Sequence, residues 1–152
     1  MSKIIDKQVL EIENLISYRG NVCSQEFNKI VSDMQVKLKA AEVMSVGHPI
    51  TVIYGMSGDK SDVEILIPVN KKVDCIKDYA FKKRLKIVNA LVVQYKGNPA
   101  LLQHACNRLN QYIIDHKLMP ITAGYNVTKN IDQDNIDDTE IDVYVGISPN
   151  IL

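Results

Sequence analysis

Along residues 138–145 the chain alternates apolar and polar positions: Ile141, Val143 and Val145 fall on one side, Glu140, Asp142 and Tyr144 on the other. A period of two predicts a strand with unlike faces. Residues 62–69 carry the same pattern, with Val63, Ile65, Ile67 and Val69 opposed to Glu64 and Leu66, and both stretches read Asp-x-Glu-Ile-x-x-x-Val. In each, the Glu points away from the apolar face.

The remaining pattern supplies the other elements. Residues 9–18 read as a bent strand, broken by Gly20-Asn21. Over residues 24–43, Phe27, Ile30, Val31, Met34, Leu38 and Ala41 recur at helical steps, which predicts a helix. Ser24 or Asn21 would cap it, and Gly47-His48-Pro49 would stop it. Strands are expected over 50–55 and 62–69, with the turn residues Ser57-Gly58-Asp59-Lys60 between them. A connector over 70–79 is basic at Lys71, Lys72 and Lys77. Residues 85–95 are extended again. Asn98 as cap and Pro99 at the first helical position then start a second helix, with Leu102, Ala105, Leu109, Tyr112, Ile113 and His116 on one stripe. Leu118-Met119-Pro120 ends it, and a strand over 121–127, a polar hairpin over 128–137 and the final strand over 138–147 complete the chain.

The order strand, helix, strand, strand thus occurs twice, and short motifs match in step. Tyr18-Arg19-Gly20-Asn21 parallels Tyr95-Lys96-Gly97-Asn98; Pro49-Ile50-Thr51 with Tyr54 parallels Pro120-Ile121-Thr122 with Tyr125; Asp62-x-Glu64-Ile65 parallels Asp138-x-Glu140-Ile141. We read an internal repeat over 9–70 and 82–148 within one domain of 1–152. The expected fold class is α+β: duplicated strand-helix-strand-strand units forming antiparallel sheets, two main helices on one face, and a cleft between pseudo-twofold halves. The half-apolar strand faces that carry Glu64 with Leu66, and Glu140 with Asp142 and Tyr144, would line that cleft.

Composition narrows the function classes. Eighteen basic and eighteen acidic residues cancel, which argues against direct nucleic-acid binding, and 46% hydrophobic content is enough for a core. The basic run Lys82-Lys83-Arg84 with Lys86 reads as a solvated strand edge. Cys23, Cys75 and Cys106 are odd in number and widely spaced, and no His sits at a ligand spacing from any of them, so we expect free thiols and no zinc site. The acidic run Asp132, Asp134, Asp137 and Asp138 lacks the glycine of a calcium loop and reads as a solvated hairpin. His48, His104 and His116 form no nucleophilic arrangement by spacing, and His116 reads as a packing residue. No apolar stretch is long enough for a signal core or a membrane span, so no membrane contact and a cytoplasmic location are expected.

These residues resemble a known family, the GyrI-like or AraC effector-binding domain, which also forms the ligand-sensing half of multidrug-responsive transcription regulators. The resemblance runs from about Val9 to Ile147, and it rests on the doubled element order, the Tyr-Lys-Gly-Asn-Pro start of the second helix and the Glu-Ile strand ends. It implies two pseudo-symmetric halves around an aromatic-lined pocket, in which a strand Glu meets lipophilic, often cationic, ligands. Carried over by position, that carboxylate is Glu140, with Glu64 as its counterpart. This chain departs from the family in three ways: Pro68-Val69 ends the strand in the first half where the second reads Tyr144-Val145, there is no Trp and only two Phe, and no DNA-binding segment precedes the domain.

The reading is therefore a stand-alone protein that binds a small organic ligand, without a cofactor or metal, and that acts as a sensor, as a sequestering protein or with a separately encoded regulator. The expected ligand-binding residues are Glu140, Glu64, Tyr125, Tyr144, Tyr54 and Leu66, with the tyrosines as walls that offer both a ring and a hydroxyl. Two alternatives stay open. One is a hydrolase in which a pocket Glu activates water beside a Tyr hydroxyl; the other is a protein-interaction module of the gyrase-inhibitor type.

Overall fold

The computed structural model describes residues 2–73, 76, 78–131 and 134–149; the expectations for Cys75, Lys77 and Asp132 lie outside them. The protein is α+β. Strands β1 (Ser2–Cys23), β2 (Ile50–Ser57), β3 (Lys60–Pro68), β4 (Ala80–Lys96), β5 (Tyr125–Asn130) and β6 (Glu140–Gly146) accompany two helices, α1 (Ser24–Ala40) and α2 (Leu102–Asp115). The chain divides into two compact units. One comprises Glu11–Lys86; the other joins the residues up to Leu10 with those from Ile87 onward.

In the first unit β3 is the central strand, antiparallel to β1 on one side and to β2 on the other. The expected face is the one that packs: Val63, Ile65, Ile67 and Val69 form a core with Met34 and Leu38 of α1 and with Ile16 and Val22 of β1. Fully buried side chains of this size each contribute about 2 kcal/mol through the surface they remove from water. In the second unit β6 is central, between β4 and β5. Ile141, Val143 and Val145 pack on Ala105, Leu109 and Ile113 of α2. Two-residue and helical periods therefore meet on one apolar surface in each unit.

The two helices end by the same device, which is not the expected proline. Glu42 adopts φ 59° and Lys117 φ 53°, and the next N–H in each case reaches back five residues: Val43 to the Leu38 carbonyl at 2.9 Å, Leu118 to the Ile113 carbonyl at 3.0 Å. This is the left-handed ending that satisfies orphan helix carbonyls, and Val43 and Leu118 then fold back onto their own cores. The starts differ. Asn98 accepts from the Ala100 N–H at 2.9 Å with Pro99 beside it, as a cap should, but what it caps is a 3-10 turn, Pro99–Leu101, that leads into α2. The cap of α1 is neither Ser24 nor Asn21 but Cys23, whose N–H and Sγ both approach the Glu26 carboxylate, at 3.4 and 3.0 Å.

The two Tyr-x-Gly motifs adopt one conformation. A Cβ on Gly20 would lie 2.6 Å from the Tyr18 hydroxyl oxygen, and one on Gly97 would lie 2.7 Å from that of Tyr95. Glycine is required because the ring lies across its backbone. The Pro-Ile-Thr match behaves otherwise. Ile50 faces Leu66 within β2, whereas Ile121 lies outside β5 and donates its N–H to the Gly146 carbonyl at 2.8 Å. Thr122 Oγ1 donates to the Ala123 carbonyl and accepts the Gly146 N–H, so side-chain bonds replace ladder bonds here and β5 begins only at Tyr125.

Candidate functional site

Each central strand carries its Glu on the face turned away from the helix, and the two acids meet different surroundings. On β3, Glu64 is 4% exposed. Its Oε1 accepts the Tyr54 hydroxyl at 2.7 Å; its Oε2 accepts the Ser17 hydroxyl at 2.7 Å and meets Lys82 Nζ at 2.6 Å. Burial pushes the Glu64 pKa up, but the hydrogen bonds from Lys82, Ser17 and Tyr54, together with the Lys82 charge, outweigh it and hold the group below the ordinary carboxylate value.

A second layer fixes Tyr54. The Arg19 guanidinium lies 3.8 Å from the centre of its ring and forks onto Asp62, with Nε to Oδ1 at 3.0 Å and Nη2 to Oδ2 at 2.9 Å. Tyr54 is the extra residue of a bulge in β2 between Ile53 and Gly55, which turns it towards Glu64. Leu66, two residues beyond Glu64, is 0% exposed, so it offers a ligand no surface in this structure.

On β6 the pattern opens. Glu140 and Asp142 share a face, opposite Lys96 and Gln94 of β4 in the ladder. Together with Tyr95 and Lys129 they line a hollow of about 350 Å³. Among the described residues, neither carboxylate makes a side-chain hydrogen bond or ion pair. Burial pushes the Asp142 pKa above the ordinary carboxylate value; Lys129 opposes the shift and Glu140 adds to it. Tyr144 follows on the same face, its phenol pKa raised by burial and by the Asp142 charge, with Lys129 Nζ 6.0 Å from its ring centre. Tyr125 pairs directly with Tyr144 across the β5–β6 ladder.

The expected residues thus gather in two places. Tyr54 and Glu64 are bonded to each other in the first unit; Glu140, Tyr144 and Tyr125 occupy one face of the second. Sequence reasoning missed Ser17, Arg19 and Lys82 around Glu64. The first two follow only from the β1–β3 register, which sets Ser17 opposite Leu66 and Arg19 opposite Glu64. Lys82 belongs to the run expected to be a solvated edge. Its four bases are exposed, but three of them also pair with acids: Lys82 with Glu64, Arg84 with Glu13 at 3.6 Å and Lys86 with Glu11 at 3.2 Å. Asp142 was visible in the alternation as the residue sharing Glu140's face, though not as one of the expected ligand residues.

No family model matches the chain, and no curated protein matches it. Solved structures do. The chain superposes on EcmrR in its DNA complex with a TM-score of 0.80 at 16% identity, covering 97% of this chain and 57% of that one, so it spans little more than half of that protein's length. Against the crystal structure of the EcmrR C-terminal domain the TM-score is 0.76 at 15% identity, covering 97% and 98% of the two chains. SAV2435 bound to tetraphenylphosphonium gives 0.57 at 7% identity, covering 98% and 94%. A hydrolase from Listeria innocua gives 0.61 at 13% identity, covering 97% and 91%. Identities this low speak for the fold alone, and over nearly its whole length this chain has the α+β fold of the EcmrR C-terminal domain.

Proposed function

We propose that this chain is a GyrI-like effector-binding protein that receives a lipophilic, cationic small molecule at the Glu140–Asp142 face. The observation that carries the reading is the pair of carboxylates that share one hollow without a bonded partner among the described residues, Asp142 with its pKa raised. A half-buried acid in that condition gains when a ligand brings positive charge, because the charge offsets the cost of burying the carboxylate. Tyr125, half-buried and paired in the ladder with the buried Tyr144, supplies aromatic surface on the same face, suited to the apolar body and the charge of such a ligand. The fold shared with a regulator domain and with a tetraphenylphosphonium-bound protein supports this choice. In this reading residues 1–152 form one cytoplasmic ligand-binding domain built from an internal repeat, without a cofactor, and its output passes through a separately encoded regulator rather than through its own contact with nucleic acid.

The test is calorimetric titration with tetraphenylphosphonium of the wild type, Glu140→Gln, Asp142→Asn and the double variant. Each single change is expected to weaken binding about tenfold, the loss of one charge-assisted contact worth about 1.4 kcal/mol. Undiminished affinity in the double variant would remove the assignment.

A hydrolytic reading has one observation in its favour, the 2.7 Å bond between Tyr54 and Glu64, on a fold shared with the Listeria hydrolase. Basicity argues the other way. A carboxylate whose pKa is held down by Lys82 and two hydroxyls is a poorer base than a free one, and a general base works best with a pKa near the working pH. Binding is therefore the function we assign.

A further inference from the structure

Three bases alternate on one side of β4, and each meets an acid. Two of those acids, Glu11 and Glu13, have exposed side chains; the third, Glu64, has a side chain only 5% exposed. Lys82 thus carries its ammonium to a buried carboxylate while its own side chain remains 44% exposed. Two hydroxyls, from Ser17 and Tyr54, complete the acid's shell, and Val52, itself buried, stands opposite Glu64 in the β2–β3 ladder. The arrangement brings together an anion, two oriented hydroxyls and apolar backing around the end of a flexible side chain.

We propose that Glu64 is a seat for protonated amines which Lys82 occupies in cis, so that Lys82 sets the specificity of this unit. The inference does not rest on the Glu140–Asp142 reading, which concerns other residues in the other unit. The chemistry follows from what a buried carboxylate requires. Whatever replaces Lys82 must bring a positive charge, since an uncompensated buried anion is strongly disfavoured, and it must donate a hydrogen bond to Oε2. A primary ammonium does both. Phosphonium and tetraalkylammonium ions carry charge but no N–H, and carbon surrounds the charged atom on every side, so they cannot reproduce the 2.6 Å contact. The lysine side chain is a point charge on a rotatable stem, and once displaced into water it is readily rehydrated. An amine ligand therefore competes with Lys82, whereas a permanent onium ion does not.

The experiment uses the full chain as wild type, Lys82→Met, Lys82→Arg and Lys82→Met with Glu64→Gln, titrated with n-butylammonium and with tetramethylammonium. Binding is read by calorimetry and by the shift in unfolding temperature. Butylammonium is expected to bind Lys82→Met at least tenfold more tightly than wild type and to raise its Tm, while tetramethylammonium does neither. Lys82→Arg should behave as wild type because the guanidinium refills the seat. An equal response of Lys82→Met to both cations, no response to the amine, or an amine response that survives Glu64→Gln would overturn the proposal. Where Lys82→Met does not fold, the Lys82 Nζ resonance of the ¹⁵N-labelled wild type decides. It should move towards the free-lysine position as butylammonium is added, and a resonance that stays fixed at saturating amine refutes displacement.

Discussion

Leu66 and Asp142 stand two residues beyond Glu64 and Glu140 on strands of the same pattern, and the units part company there. In the first, the row across the sheet is Ser17, Leu66 and Ile50, with the last two fully buried and Glu64 closed off by its own lysine. In the second, the row is Gln94, Asp142 and Val127, and the carboxylates line a hollow. One acid is satisfied internally; the other two, among the described residues, make no side-chain hydrogen bond or ion pair. An identical Asp-x-Glu-Ile motif therefore does not fix the role of its Glu, which depends on the residues that the ladder sets beside it.

Transplanting the difference should have the largest effect. Leu66→Asp puts an unpaired carboxylate at a position with no exposure, and urea denaturation is expected to show a loss of about 4 kcal/mol or more. A mild effect would mean that the two strand faces are not as unlike as their burial indicates. Lys82→Met comes next. Removing one partner of a fully buried pair costs about 3–5 kcal/mol; because the lysine side chain is nearly half exposed and screened, we expect about 2 kcal/mol, measured in the same way.

The pH dependence separates the two acids by sign. The folded-state pKa of Glu64 is depressed, so its contribution is full above the unfolded value of about 4.3 and is lost as the pH falls through the folded value. That of Asp142 is raised, so its contribution is full below about 3.9 and is lost as the pH rises through the folded value. Glu64→Gln should therefore melt below wild type at pH 7 and converge with it in acid. Asp142→Asn should melt above wild type at pH 7 and lose that advantage in acid. Thermal melts of both variants from pH 7 to pH 3 check this, and curves displaced in the same direction would contradict it. The smallest effect applies to both units alike: Glu42→Gly and Lys117→Gly relieve the left-handed ending of each helix and should each add about 0.5–1 kcal/mol.

Much of the fold was legible because burial imposes a period. The helix stripes and the apolar rows Val63 to Val69 and Ile141 to Val145 pack as the alternation requires. What stayed hidden depended on backbone states or on distant partners. Glutamate and lysine are unusual left-handed residues, so the helix ends could not be told from composition, and a cysteine is an unusual cap. The apolar pattern from Leu10 to Tyr18 places the start of the first strand at Val9, whereas β1 begins at Ser2 and passes through Lys7 at φ 53°. The site was half legible: which acids lie away from the helices followed from the period of two, but Lys82 reaching Glu64 depended on a pairing that no local pattern records.

The rings laid over Gly20 and Gly97 bear on how the chain can vary. At Gly97 even a single methyl group would evict Tyr95, whose hydroxyl holds the Asn98 carbonyl at 2.6 Å. The eviction would loosen the turn from which α2 grows, so a residue with no side chain controls the onset of a helix it does not belong to. In a saturation-mutagenesis map such a position should stand out as intolerant, although it contributes neither charge, nor bulk, nor a hydrogen-bonding side chain.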